Sequence, residues 1–323
     1  MTKGILVSEY GGPEKLVFSD VFVQKPKKDE VLLQHTAIGV NFIDTYHRTG
    51  LYPIPLPFIP GSEGVGVVCE VGEGVTLVKP GDRVSYSMSI GAYAEKRIVP
   101  IQNLIKLDDD ISDDVAAAIT LKGLTAEYLL RRTFKVSSNH TLLIHAAAGG
   151  VGTLVCQWAK YLGATVIGTV GSKDKIETAR ENGCDHIILY TEENFVERVK
   201  DITHGKLCDV VYDGVGKATF PASLDCLKPL GMFVSYGNAS GPVEAFNLGI
   251  LSQKGSLYAT RPTLASYAAD RATLDDMAKE LFAVLRSGRV KAPHITKYKL
   301  SDAAEAHKAL QLRATIGSLI LVP

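Results

Sequence analysis

This 323-residue chain has few cysteines, no charge imbalance, no apolar leader and no membrane-length apolar run. Its five cysteines, Cys69, Cys156, Cys184, Cys208 and Cys226, are dispersed, and none forms a C-x-x-C pair. An odd, scattered set excludes a disulfide framework and a structural zinc knuckle, and reads as buried free thiols. Thirty-five Lys+Arg against thirty-five Asp+Glu leave a formal net charge of zero. No chain-wide attraction to nucleic acid or anionic lipid follows from that balance. The opening MTKGILVSEYGG lacks a basic segment followed by an apolar one, so the expected compartment is the cytoplasm. The long uncharged stretch from Leu142 to Ala159 is broken by Gly149, Gly150 and Gly152 and carries His145 and Gln157. A membrane span is longer and more uniformly apolar, so no membrane association is expected.

What is present changes rhythm along the chain. Up to about residue 100, short β-type runs such as Gly64 to Val68 and Arg83 to Tyr86 alternate with glycine and proline signals. Lys79-Pro80-Gly81-Asp82 reads as a tight turn into a strand, and the prolines at 53, 55, 57 and 60 stiffen a loop. This pattern predicts a compact, barrel-like β domain. From about 140, strands and helices alternate. Strands are predicted over 141–145, 164–170, 186–190, 208–212, 232–236 and 256–260, and helices over 151–162, 174–181, 192–202 and 217–227. Apolar strands of that length between helices require a parallel sheet covered on both faces, a doubly wound α/β fold. The tail predicts helices over 274–287 and 303–312, then a strand over 318–322 that closes back onto the first domain.

The strand ending at Ala146 runs into Ala147-Ala148-Gly149-Gly150-Val151-Gly152, a G-x-G-x-x-G pattern with alanine in first place. Glycine at 149 lets backbone N–H groups approach a pyrophosphate, glycine at 152 lets the helix pack on the strand, and the helix N-terminus favours negative charge. The turn therefore predicts dinucleotide binding. At the end of the second strand, an NAD site needs a carboxylate for the ribose hydroxyl. Here the stretch is Thr169-Val170-Gly171-Ser172-Lys173-Asp174-Lys175, which offers a hydroxyl and two lysines to a 2′-phosphate and predicts NADPH. Asp174, if turned inward, would reverse that preference.

The run from Asn139 through Gly152 to Gln157 and Lys160 resembles the quinone oxidoreductase/ζ-crystallin signature of the medium-chain dehydrogenase/reductase superfamily. Asn41-Phe42-Ile43-Asp44-Thr45-Tyr46, Lys122-Gly123-Leu124-Thr125, Tyr236-Gly237-Asn238 and Arg313-Ala314-Thr315 extend the resemblance along the whole chain. It implies a Rossmann dinucleotide-binding domain over 125–262 and a GroES-like β-barrel catalytic domain made of 1–124 and 263–323. It also implies that Asn41, Phe42, Ile43, Asp44, Thr45, Tyr46, Thr125 and Tyr128 approach the nicotinamide, with Gly150 and Val151 under the pyrophosphate. Gly171, Ser172 and Lys175 would take the 2′-phosphate beside Tyr190. Tyr236, Gly237, Asn238, Ala239, Pro262, Thr263, Leu264 and Arg313 would complete the cleft between the domains. Gly214 departs from the pattern, where serine is expected.

Zinc-dependent relatives hold their metal with a cysteine and a histidine where this chain has Asn41 and Ser62, both poor zinc ligands. Glu63, Asp44 and His47 lie nearby in sequence. The expectation is a metal-free site. A quinone accepts electrons without a Lewis acid, so the protein need supply only orientation and a dry cleft. Asn41, Tyr46 and Tyr52 are the candidates for steering the quinone oxygens. An NADPH-dependent alkenal or enone reductase is the alternative chemistry. An RNA-binding or crystallin-like role is the non-enzymatic one, and neutral charge without an RNA-recognition motif speaks against it. The resemblance suggests a homodimer through the sixth strand, near Tyr258.

Overall fold

The computed structural model describes residues 1–312 and 315–323, and its chain divides into two compact units. The first comprises Met1–Lys122, Ala269–Ala278 and Ala292–Pro323, and the second Gly123–Ala268 with Lys279–Lys291. Two of the four divisions fall inside helices, Asp113–Glu127 and Arg271–Arg286.

The second unit is built on six parallel strands. In spatial order they are His186–Leu189, Thr165–Val170, Thr141–Ile144, Cys208–Asp213, Leu227–Ser235 and Tyr258–Thr260. The chain starts in the middle, winds outward to one edge, returns and winds to the other. The order therefore reverses between Thr141–Ile144 and Cys208–Asp213, where such folds open a crevice at the strand C-termini. The central strands are apolar because both faces are covered. Leu142, Leu143 and Ile144 are fully buried, as are Val210, Val211 and Tyr212.

The helix expected over 217–227 does not form. A turn leads instead to a short 3-10 helix, Ala222–Cys226, and the next strand has already begun at Leu227. Pro221 explains this: it has no N–H for the carbonyl of Lys217, and its ring would collide with that carbonyl. The chain instead closes a turn on Gly216, whose carbonyl accepts from Thr219 and Phe220. The helix expected from 192 starts at Phe195, because Asn194 caps it by accepting from Val196 and Glu197 N–H.

In the first unit, a seven-stranded sheet is organised around the long strand Glu30–Val40, which pairs antiparallel with Glu63–Val71 and Lys96–Pro100. The C-terminal strand Ser318–Val322 pairs with the same strand, Leu319 opposite Val40, so the tail closes onto the start of the chain as expected. The turn into strand Arg83–Ser87 needs Gly81, whose φ of +92° disfavours any side chain. A helix at Phe42–Thr49 follows the long strand directly, with no glycine or proline to announce it. Four cysteines are buried, but Cys69 is exposed, which corrects the expectation of five buried thiols.

Candidate functional site

In the second unit, the predicted residues gather where the parallel strands end. Gly150 and Val151 open helix Gly150–Tyr161 after the first strand. Gly171, Ser172 and Lys175 follow Thr165–Val170, and Tyr190 follows His186–Leu189. Tyr236 to Ala239 follow Leu227–Ser235, and Pro262 to Leu264 follow Tyr258–Thr260. Parallel strands put all these ends on one edge of the sheet.

The two glycines of the turn differ in the space beside them. A Cβ on Gly149, the helix N-cap, would meet only the Ala146 carbonyl oxygen, at 3.2 Å. A Cβ on Gly152 would lie 2.3 Å from that oxygen and 2.8 Å from the Ala147 oxygen. At Gly152 the helix therefore packs hard on the turn that follows the strand, and at Gly149 it leaves space beside its first N–H groups. Those N–H groups have no partner within the helix and can receive an anion.

At the second strand's end, Tyr190 crosses over to Gly171, where a Cβ would stand 2.6 Å from its hydroxyl. Tyr190 N–H donates to the Val170 carbonyl at 3.2 Å, and the Thr191 hydroxyl to the Gly171 carbonyl at 3.4 Å. The Ser172 hydroxyl hydrogen-bonds the exposed Asp174 carboxylate and, with the Lys175 charge, holds its pKa below the usual range. Lys173 is turned to Glu192 at 3.0 Å, and Lys175 is half-buried. Of the two lysines, the structure ties Lys173 to a surface ion pair.

The Tyr236–Ala239 loop lies on the turn after strand Cys208–Asp213. Tyr236 N–H donates to the Asp213 carbonyl and Ala239 N–H to that of Gly214. A Cβ at Gly214 would come within 2.9 Å of the Tyr236 ring, so the expected serine is displaced here by the close approach of the tyrosine. The buried Asp213 carboxylate holds the turn: it accepts from Val215 and Gly216 N–H and from the Thr219 and Ser223 hydroxyls. Ser223 also meets His145 Nε2 at 2.9 Å, while His145 Nδ1 meets the Thr169 hydroxyl at 3.0 Å. Burial lowers the His145 pKa, so this network carries the neutral imidazole. Thr125 hydrogen-bonds Tyr128, whose ring stacks on Tyr267 with centroids 4.8 Å apart. Leu264 is buried, and Thr263 stands immediately before its short helix.

In the first unit, Asn41 caps helix Phe42–Thr49 and joins a buried polar cluster. Its side-chain amide donates to Glu63 Oε2 at 2.9 Å, and its N–H to Asp44 Oδ2 at 2.9 Å. The Glu63 carboxylate also accepts from Leu121 N–H at 2.7 Å and faces the Lys122 ammonium at 3.5 Å. Asp44 accepts from the Ser62 and Tyr93 hydroxyls. Burial nevertheless pushes its pKa up to about 6, opposed by these donors and the Lys122 charge. Tyr93 in turn meets His307, which Arg48 contacts at 3.0 Å. Tyr46 and Tyr52 meet edge-to-face at 5.3 Å, with Phe42 and His47 against the pair. Burial draws the His47 pKa down to about 4, which leaves its ring neutral. Ile43 and Thr45 lie on the same helix, and the Thr45 hydroxyl donates to the Phe42 carbonyl. Arg313 lies outside the described residues.

Two family models match the chain: one described as an alcohol dehydrogenase GroES-like domain over residues 27–109, the other as a zinc-binding dehydrogenase over 150–278. A quinone oxidoreductase of Pseudomonas aeruginosa is 51% identical, with the alignment covering 100% of both chains. The chain belongs to the quinone oxidoreductase family. A solved Escherichia coli quinone oxidoreductase complexed with NADPH superposes with a TM-score of 0.97 at 47% identity, covering 99% of this chain and 100% of that one. A 2-haloacrylate reductase from Burkholderia sp. is 45% identical over 100% of this chain and 99% of its own. Within this quinone oxidoreductase framework, the sequence alone assigns no role to Lys122, Tyr93, His307, Asp213 or Tyr267. Lys122 had a signal, as a lone charge after the apolar run Ala116 to Leu121. The others gain their roles only through contacts distant in sequence.

Proposed function

We propose that this chain reduces quinones with NADPH as the electron donor and without a metal, as a soluble cytoplasmic enzyme. The cradle at the strand C-termini carries the cofactor assignment. It combines an open Gly149 beside a helix N-terminus with Gly171, Ser172 and Lys175 beside Tyr190. The NADPH-bound relative supports the choice of cofactor. Bound NADPH supplies a hydride. The chain's own residues bind and orient: backbone N–H groups at Gly150 and Val151 take the pyrophosphate, and Ser172 with Lys175 takes the 2′-phosphate. Thr125, Tyr128, Tyr236, Gly237, Asn238, Ala239, Pro262, Thr263 and Leu264 line the cofactor's path. Asn41, Phe42, Ile43, Asp44, Thr45 and Tyr46 serve the nicotinamide end, and Asn41, Tyr46 and Tyr52 steer the quinone. On this reading, residues 125–262 form the dinucleotide-binding domain, and 1–124 with 263–323 the catalytic domain.

The metal-free reading rests on chemistry already in use. One N–H of the Asn41 amide is committed to Glu63, and the Ser62 hydroxyl to Asp44. Lys122 supplies the positive charge those carboxylates face. Among the described residues, no group of three or more His, Cys, Asp and Glu is placed to hold a metal ion. Chelator-treated protein should therefore convert NADPH and 1,4-naphthoquinone to hydroquinone one-for-one under anaerobic conditions. Loss of turnover on chelation, or one tightly bound zinc per chain by elemental analysis, contradicts the proposal.

A second reading is reduction of a carbon–carbon double bond activated by a carbonyl, and the relative named 2-haloacrylate reductase supports it. We also assign strand Tyr258–Thr260 to a homodimer contact. It ends the six-stranded sheet with one side unpaired, and Tyr258 is 58% exposed. Light scattering should then give twice the 34.8 kDa chain mass, and a chain mass at all concentrations refutes the contact.

A further inference from the structure

Two of the buried cysteines are not isolated. Cys156, on the helix that follows the glycine turn, lies with its sulfur 3.4 Å from that of Cys184. Both side chains are enclosed, Cys156 completely and Cys184 to all but 7%. Three features keep the sulfurs facing each other. The Gln157 amide donates to Asn182 at 2.8 Å, and Lys160 forms an ion pair with Asp185, so the segment carrying Cys184 is clamped to the Cys156 helix on both sides. Gly168 makes room on the third side, since a Cβ there would lie 2.6 Å from the Cys184 sulfur. A disulfide asks for a sulfur separation of about 2.05 Å, so roughly 1.4 Å of approach remains.

We propose that Cys156 and Cys184 are a redox modification site, oxidised to an intrachain disulfide by hydrogen peroxide. The oxidant must be small, because both cysteines are buried and a quinone ring or a bulky disulfide would need far more of the surrounding packing to open. The sulfur of Cys184, the less enclosed of the two residues, attacks one peroxide oxygen and gives up its thiol proton to the departing hydroxide. The O–O bond breaks, one water leaves, and Cys184 carries a sulfenic acid. The Cys156 sulfur then attacks the Cys184 sulfur, and the S–O bond breaks. The hydroxyl leaves with the Cys156 proton as the second water. Two thiols and one peroxide give one disulfide and two waters, with two electrons passed from sulfur to oxygen. The Cys184 hydrogen bond and burial raise the Cys156 thiol pKa, which disfavours Cys156 as the first nucleophile. The ring so closed contains residues 157–183, including strand Thr165–Val170 and the Gly171-to-Lys175 turn. That this turn selects the cofactor rests on the proposed function above; the disulfide itself does not.

The test uses the full chain carrying Cys69→Ser, which removes the exposed thiol and with it intermolecular linkage. Peroxide treatment, denaturation, alkylation and proteolysis should yield a peptide pair joined through Cys156 and Cys184, released by dithiothreitol. The closed ring should raise the melting temperature by on the order of 5 °C, reversibly. Cys184→Ala and Cys156→Ser should each lose both the linked peptide and the peroxide-dependent shift. Full alkylation of both cysteines after peroxide, or recovery of either as sulfinic acid in place of a linked pair, overturns the proposal. Neither result bears on NADPH binding, which titrates separately.

Discussion

A Gly150→Val variant is expected to fold and to lose NADPH binding by about two to four orders of magnitude. Gly150 is the first residue of its helix and only half-buried, so a branched side chain there costs the fold little. It would, however, stand beside the N–H groups meant for the pyrophosphate. Two charge-assisted hydrogen bonds lost, at roughly 1.5–3 kcal/mol each, amount to about 3–6 kcal/mol, with each 1.4 kcal/mol roughly tenfold in affinity. Gly152→Val is the contrast. Its Cβ would sit 2.3 Å from the Ala146 oxygen, so this variant should lose stability, by about 1–3 kcal/mol or more. Fluorescence titration of NADPH with thermal melts of both variants separates the two roles. Wild-type affinity in folded Gly150→Val would remove the turn from the phosphate site.

The second large effect is expected at Lys175. NADPH carries a 2′-phosphate that NADH lacks, and Lys175 with Ser172 is assigned to it. One charge-assisted hydrogen bond is worth roughly 1.5–3 kcal/mol, so Lys175→Ala should weaken NADPH by about ten- to a hundredfold. NADH should be nearly unaffected, and added salt should narrow the gap between the cofactors, because a contact near the surface is screened. The structure sharpens the rival account. Asp174 is exposed and engaged by the Ser172 hydroxyl, so a carboxylate does stand at this turn. If Asp174 held the ribose hydroxyls instead, wild type would prefer NADH and Lys175→Ala would change neither constant. Equal losses for both cofactors would also reject the assignment.

The two units differ in how much of them the sequence discloses. The doubly wound sheet is legible because its strands are short apolar runs that alternate with helical segments, a pattern that two-sided burial produces. The helix expected over 217–227 fails at one residue, Pro221, whose missing N–H outweighs the favourable periodicity around it. In the first unit, alternation announces strands, but the only signal before helix Phe42–Thr49 is its cap, Asn41 with Asp44 three residues on. Its site chemistry is hidden for a different reason. Asn41 and Ser62 are readable as replacements for metal ligands. Their partners are Asp44, on the helix that Asn41 caps, and Glu63, and the groups that face those carboxylates in turn, Tyr93 and Lys122, arrive from distant parts of the chain. His307 is 214 residues from Tyr93, a separation no local pattern spans. Gly214 shows the same limit: its lack of a side chain makes sense only once the Tyr236 ring is seen against it.

Quinone reduction by NADPH is tested most directly by comparing kcat/KM for 1,4-naphthoquinone and for 2-chloroacrylate. Both are measured anaerobically on the same metal-depleted protein, with hydroquinone and saturated acid quantified as products. The Tyr46 and Tyr52 rings and the Asn41 amide are assigned to a flat acceptor with two oxygens, so the quinone should be favoured by at least about tenfold, roughly 1.4 kcal/mol in transition-state binding. A kcat/KM for the haloacrylate equal to or above that for the quinone contradicts the account and makes the double-bond reduction the primary reaction.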